Sequence, residues 1–112
     1  MQLNVETLAG VKVVVVPTDA LEAARAPAFK PLLMTAIADA DKVVLDLVDV
    51  KFIDSMGCSV ILSCLRDLTT RKGELKLCNL SKPVRAVVEL IRMQKIVDIL
   101  NDRDEALRAF AV

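Results

Sequence analysis

Two periodicities meet between Val43 and Thr70. Val43-Val44-Leu45-Asp46-Leu47 reads as a buried strand, with apolar side chains on successive positions as in a central strand covered on both faces. Beyond Ser55, Val60, Ile61, Cys64, Leu65 and Leu68 recur at the spacing of an amphipathic helix. The junction, Phe52-Ile53-Asp54-Ser55-Met56-Gly57-Cys58-Ser59, puts Asp54 and Ser55 at the start of that helix. A hydroxyl there either caps free backbone N–H groups or, once modified, offers a phosphate to the same groups.

The flanking chain supplies the rest of a sheet and its cover. Residues 2–8 and 11–17 read as two strands joined at Ala9-Gly10, the second rich in β-branched side chains. Phe29, Leu32, Leu33, Ala36 and Ile37 form a helical stripe. Pro27 suits a first turn, whereas Pro31 removes a backbone hydrogen bond, at about 3 kcal/mol in a helix interior. The regular helix therefore begins near Lys30, or its first turn is distorted. Residues 43–48 form the next strand, and the following helix runs from about Ser55 to Thr70, closed by Arg71-Lys72-Gly73. Leu75–Cys78 is another strand, and Ser81-Lys82-Pro83 opens a helix with its stripe at Val84, Val87, Val88 and Ile91. Residues 96–100 offer a short edge strand, and Asn101–Glu105 precedes a terminal helix. The order ββαβαβαβα predicts an α/β fold in which about four helices pack on one mixed sheet.

A chain of 112 residues supports one domain, spanning 1–112, with a single core. Only 3% of its residues are aromatic, which argues against base stacking. Fifteen basic residues balance fifteen acidic ones, so charge gives no case for direct nucleic-acid or anionic-membrane binding. A protein partner is the expectation. No apolar run reaches the length of a membrane span and the N-terminus lacks a signal-peptide layout, so the expected location is cytoplasmic, without membrane insertion. Cys58, Cys64 and Cys78, odd in number and without C-x-x-C spacing, read as reduced core thiols. With no histidine the commonest general base and metal ligand is missing, and a nucleophilic Ser55 has no base of that kind. No metal or cofactor is expected. On the residues alone Asp54-Ser55 reads equally as an ordinary cap, and Gly57 as a tolerated glycine or one that admits something close to the backbone.

Val44-Leu45-Asp46-Leu47 followed by Val50-Lys51-Phe52-Ile53-Asp54-Ser55-Met56-Gly57 resembles the signature of STAS domains, in particular the bacterial anti-anti-sigma factors. Leu21 to Lys30, Gly73-Glu74-Leu75 and the Val84 to Ile91 stripe resemble further segments of that family, so the likeness covers nearly the whole chain. The resemblance implies a non-enzymatic anti-sigma factor antagonist that binds an anti-sigma factor serine kinase, is phosphorylated on Ser55, and is restored by a serine phosphatase. By position Ser55 matches the modified serine and Asp54 the aspartate before it. Glu22 matches an acidic site position, a role that falls to Asp19 if the loop is shifted. Met56 replaces the serine or threonine often found there. A STAS accessory subunit of a lipid-transporting membrane complex is the alternative that the resemblance leaves open, and oligomeric state is left open too.

Overall fold

The computed structural model describes residues 3–110. Its elements run β1 (Asn4–Leu8), β2 (Val11–Val15), β3 (Ala20–Leu21), α1 (Ala26–Ile37), β4 (Lys42–Asp46), β5 (Phe52–Ile53), α2 (Ser55–Thr70), β6 (Glu74–Cys78), α3 (Lys82–Leu90), β7 (Asp98–Leu100) and α4 (Arg103–Phe110). A 3-10 turn, Met93–Lys95, leads into β7. The main sheet has the order β1-β2-β4-β6-β7, with β1 antiparallel to β2 and the other pairs parallel. The expected mixed α/β architecture is therefore present, including the edge strand near residue 100. Gln2, also expected in the first strand, lies outside the described residues.

β4 is central because its side chains are apolar on both faces. On one face Val43 and Leu45 join Phe29, Leu33 and Ile37 of α1, Ile61, Cys64 and Leu68 of α2, and Val84 and Val88 of α3 in one buried cluster. On the other Val44 meets Val11, Val13, Cys78 and Ala106, with Leu107 and Phe110 of α4 packed against them. Each large buried side chain contributes about 1.5–3 kcal/mol. The three cysteines are free and buried, and burial pushes the Cys64 and Cys78 thiols up to about 12, so they are packing groups.

Three local expectations are corrected. First, of the two alternatives for α1 the start near Lys30 is excluded: the helix begins at Ala26, with Pro27 in its first turn and Pro31 inside it. Pro31 is exposed, so the carbonyl that loses its bond is on the outer side of the helix, where water can serve it. Second, the left-handed residue that ends α2 is Lys72, at φ 61°, and not Gly73. Gly73 answers to space: a Cβ there would lie 2.7 Å from the Asp41 carbonyl oxygen. Third, β3 and β5 form a second, two-stranded parallel sheet, pairing Ala20 with Phe52 and Leu21 with Ile53. Two-residue strands are too short to leave a periodic signal, and this pair is what brings the 18–25 segment to the start of α2. Among the described residues no helix is long and apolar enough to cross a membrane.

Candidate functional site

The start of α2 is built by Asp54. In extended conformation as N-cap, its carboxylate accepts hydrogen bonds through Oδ1 from the N–H groups of Met56 at 2.9 Å and Gly57 at 3.0 Å. Through Oδ2 it accepts the Ala23 N–H, at 2.9 Å, from the facing segment. These donors, Gly57 and then Ala23, hold the Asp54 carboxyl below the usual carboxylate range. Asp54 therefore closes the helix end and ties two parts of the chain together.

Capping by Asp54 decides what Ser55 is not. Ser55 is the first residue of α2 and is exposed, and among the hydrogen bonds of the described residues its hydroxyl takes part in none. The expectation that the free N–H groups of this helix would cradle a phosphate on Ser55 is not met at Met56 and Gly57, because the Asp54 carboxylate already occupies both. The next N–H, from Cys58, is taken by the Asp54 carbonyl at 2.9 Å. A carboxylate one residue ahead of the serine reaches the second and third N–H groups of the helix, the geometry in which aspartate is a preferred cap.

Gly57 is buried because the chain itself comes close. A Cβ on it would lie 2.1 Å from the Leu21 carbonyl oxygen and 2.7 Å from Ile53 Cγ1. No side chain fits, so the β3 backbone seats directly on the first turn of α2. The Asp19 carbonyl also accepts the N–H groups of Lys51 at 2.7 Å and Phe52 at 3.1 Å, which fixes the beginning of the same segment.

The two acidic candidates of that segment differ. The Asp19 side chain is exposed and ion-paired with Arg25, whose hydrogen bond and charge hold its carboxyl below the usual range. Glu22 is half-buried; its carbonyl accepts the Arg25 and Ala26 N–H groups that launch α1, and among the described residues its carboxylate has no ion pair. Met56 is 46% exposed and Phe52, on β5, is 63% exposed, so both flank Ser55 on the surface. Sequence reasoning missed the Ala23 N–H and Arg25, for which no motif gives a signal.

The family described as STAS domain matches residues 2–106. The chain belongs to the STAS domain family. Among its relatives, a protein named as an anti-sigma factor antagonist, BtrV of Bordetella bronchiseptica, is 39% identical over 69 residues, 62% of this chain and 60% of that protein. An anti-sigma F factor antagonist of Paenibacillus polymyxa is 29% identical over 72 residues, 64% of this chain and 62% of the relative. The matched stretches thus span less than two thirds of either relative. The solved structure of an anti-sigma-factor antagonist STAS domain protein from Planctomyces limnophilus superposes with a TM-score of 0.92 over 100% of both chains at 21% identity, which establishes the shared STAS fold.

Proposed function

We propose that this STAS domain is an anti-sigma factor antagonist that works by partner switching. In its unmodified form it binds an anti-sigma factor that is also a serine kinase, and a sigma factor is released. Transfer of a phosphoryl group to Ser55 ends the binding, and a serine phosphatase restores it. The domain itself catalyses nothing.

One observation carries this reading: Ser55 presents an exposed hydroxyl without a hydrogen bond directly after an aspartate that has taken over the capping of α2. A serine needed for capping would be costly to modify. This one is free, and the names borne by the two relatives, both anti-sigma factor antagonists, point to the same role. Phosphorylation adds about −1.5 to −2 charges. With Met56 and Gly57 N–H groups engaged, that charge stands on the surface beside the Asp54 carboxylate, with Glu22 as the acid on the facing segment whose charge is not already paired. Stripping a dianion of its hydration in an interface fitted to a neutral hydroxyl costs several kcal/mol, and about 1.4 kcal/mol is already a tenfold change in affinity. A single phosphate is therefore enough to release a partner while the fold persists.

The test is to incubate the chain with ATP and each serine-kinase-type anti-sigma factor of its own genome, then map phosphate by mass spectrometry and measure binding before and after. Modification at Ser55 with loss of binding is expected. Absence of phosphate on Ser55, together with wild-type affinity for Ser55→Asp, would overturn the switch.

A further inference from the structure

The chain has three aromatic residues, all phenylalanine, and it places one of them on the surface three positions before Ser55. Phe29 is fully buried and Phe110, at the end of α4, packs against the cluster around Val44, but Phe52 is 63% exposed. Met56 and Val48, each 46% exposed, stand on the same connection from β4 into α2. The intervening Val50 and Ile53 are buried, so the core had room on this connection for apolar side chains and Phe52 is not among them. Around these groups the segments 19–25 and 48–56 carry Asp19, Glu22, Asp49 and Asp54 against Arg25 and Lys51.

We infer that Phe52 and Met56 are the apolar anchors of the partner interface, and that they fit a protein pocket that is apolar at its centre and rimmed by arginine or lysine. The inference rests on the partner-switching reading. Charge selects the occupant. A second copy of this chain would bring the same acidic rim against itself, and an anionic bilayer would be repelled by it. Exposed phenylalanine and methionine are the side-chain types enriched at interface centres, where dry packing concentrates the binding energy inside a solvated charged rim. The same arrangement explains why a phosphate acts so strongly. Ser55 lies in the chain between the two anchors, so a dianion on it would be carried into the dry centre, where loss of hydration is most expensive and a basic rim is too remote to offset it.

Isothermal titration of each serine-kinase-type anti-sigma factor of the genome against wild type, Phe52→Ala and Met56→Ser tests this. Both side chains are exposed, so the variants should melt with wild type, which circular dichroism checks. Each substitution is expected to weaken binding by about tenfold or more, and the wild-type affinity should fall with added salt as the rim is screened. Affinities within about twofold of wild type, with phosphorylation still abolishing binding, would overturn the anchors and leave partner switching intact. If no anti-sigma factor binds wild type, partner switching fails and the anchors with it. Self-association, or adsorption to phosphatidylglycerol vesicles, that is lost in Phe52→Ala would instead give the patch a different occupant and overturn the inference.

Discussion

Asp46 is the last residue of β4 and Asp54 directly follows β5, and both use their carboxylates to accept backbone N–H groups, yet they serve opposite purposes. Asp46 is 3% exposed; its Oδ1 accepts the Val48 N–H and Asn79 Nδ2, each at 3.0 Å, and its Oδ2 accepts Arg103 Nη2 at 3.2 Å. Arg103 reaches on to Glu6 of β1, so Asp46 binds the start of α4 to the sheet. Asp54 lies half-open to solvent and bonds only backbone groups, leaving the next side chain free. The contrast teaches that a saturated buried carboxylate holds a fold together. A carboxylate that saturates a helix end at the surface instead releases its neighbour for chemistry.

The largest expected effect separates these roles. Asp46→Ala takes the buried acceptor from the Val48 N–H, the Asn79 amide and Arg103, which keeps only Glu6, and hydrogen bonds to a charged group are worth about 1.5–3 kcal/mol each. Urea denaturation should show a midpoint well below wild type, and it should also exceed the loss for Asp54→Ala. A greater loss at Asp54 would reverse the comparison.

Gly57→Ala comes next. Alanine gains about 1 kcal/mol of helix propensity over glycine, yet its Cβ would overlap the Leu21 carbonyl at 2.1 Å. Overpacking of this kind costs about 1–3 kcal/mol, so the variant should be less stable despite the propensity gain. The damage should be local as well: hydrogen exchange at Ala23 N–H should accelerate as β3 is pushed off the helix. A stabilised variant with unchanged exchange would mean that the close approach is not a constraint.

The third effect is smaller and depends on pH. The Asp54 carboxyl is held below its ordinary value by the Gly57, Ala23 and Met56 N–H groups. A depressed native value means that the unfolded chain binds the proton more readily, so the stabilisation is fully present above the unfolded value of about 3.9 and is lost as pH falls through the lower native one. Asp54→Asn keeps an oxygen for Met56 and Gly57 but gives up the charge and the acceptor for Ala23. Urea midpoints of wild type and Asp54→Asn should differ at neutral pH, begin to approach each other near about pH 3.9, and converge only once pH has fallen below the lower native value. A gap independent of pH would assign the loss to geometry alone.

How much of this was legible in the sequence follows from the length of each signal. α2 is legible over Ser55–Thr70 because its apolar period recurs from Val60 to Leu68 and an aspartate stands at its N-cap. β4 was recognisable from an unbroken apolar run, although that pattern did not reveal that Asp46 would be buried and bonded across 57 residues to Arg103. The β3–β5 pair was invisible because backbone pairing of two-residue strands leaves no side-chain rhythm. The same limit hid the division of labour at the site. Sequence names Asp54 and Ser55 together, but which of them caps is a matter of where an Oδ sits relative to three N–H groups.

That division makes the smallest predicted effect the most informative one. If Asp54 does the capping, Ser55→Ala removes a hydroxyl that bonds nothing among the described residues and replaces it with the best helix former. Stability should stay within about 0.5 kcal/mol of wild type, measured as overlaid urea curves, while phosphate incorporation by a serine-kinase-type anti-sigma factor should vanish. A loss near the typical capping value of about 1 kcal/mol would show that the serine shares the cap, and a modification there would then loosen the helix it sits on. Unchanged stability with lost modification would instead locate the whole consequence of the phosphate on the surface, in what a partner meets beside Asp54.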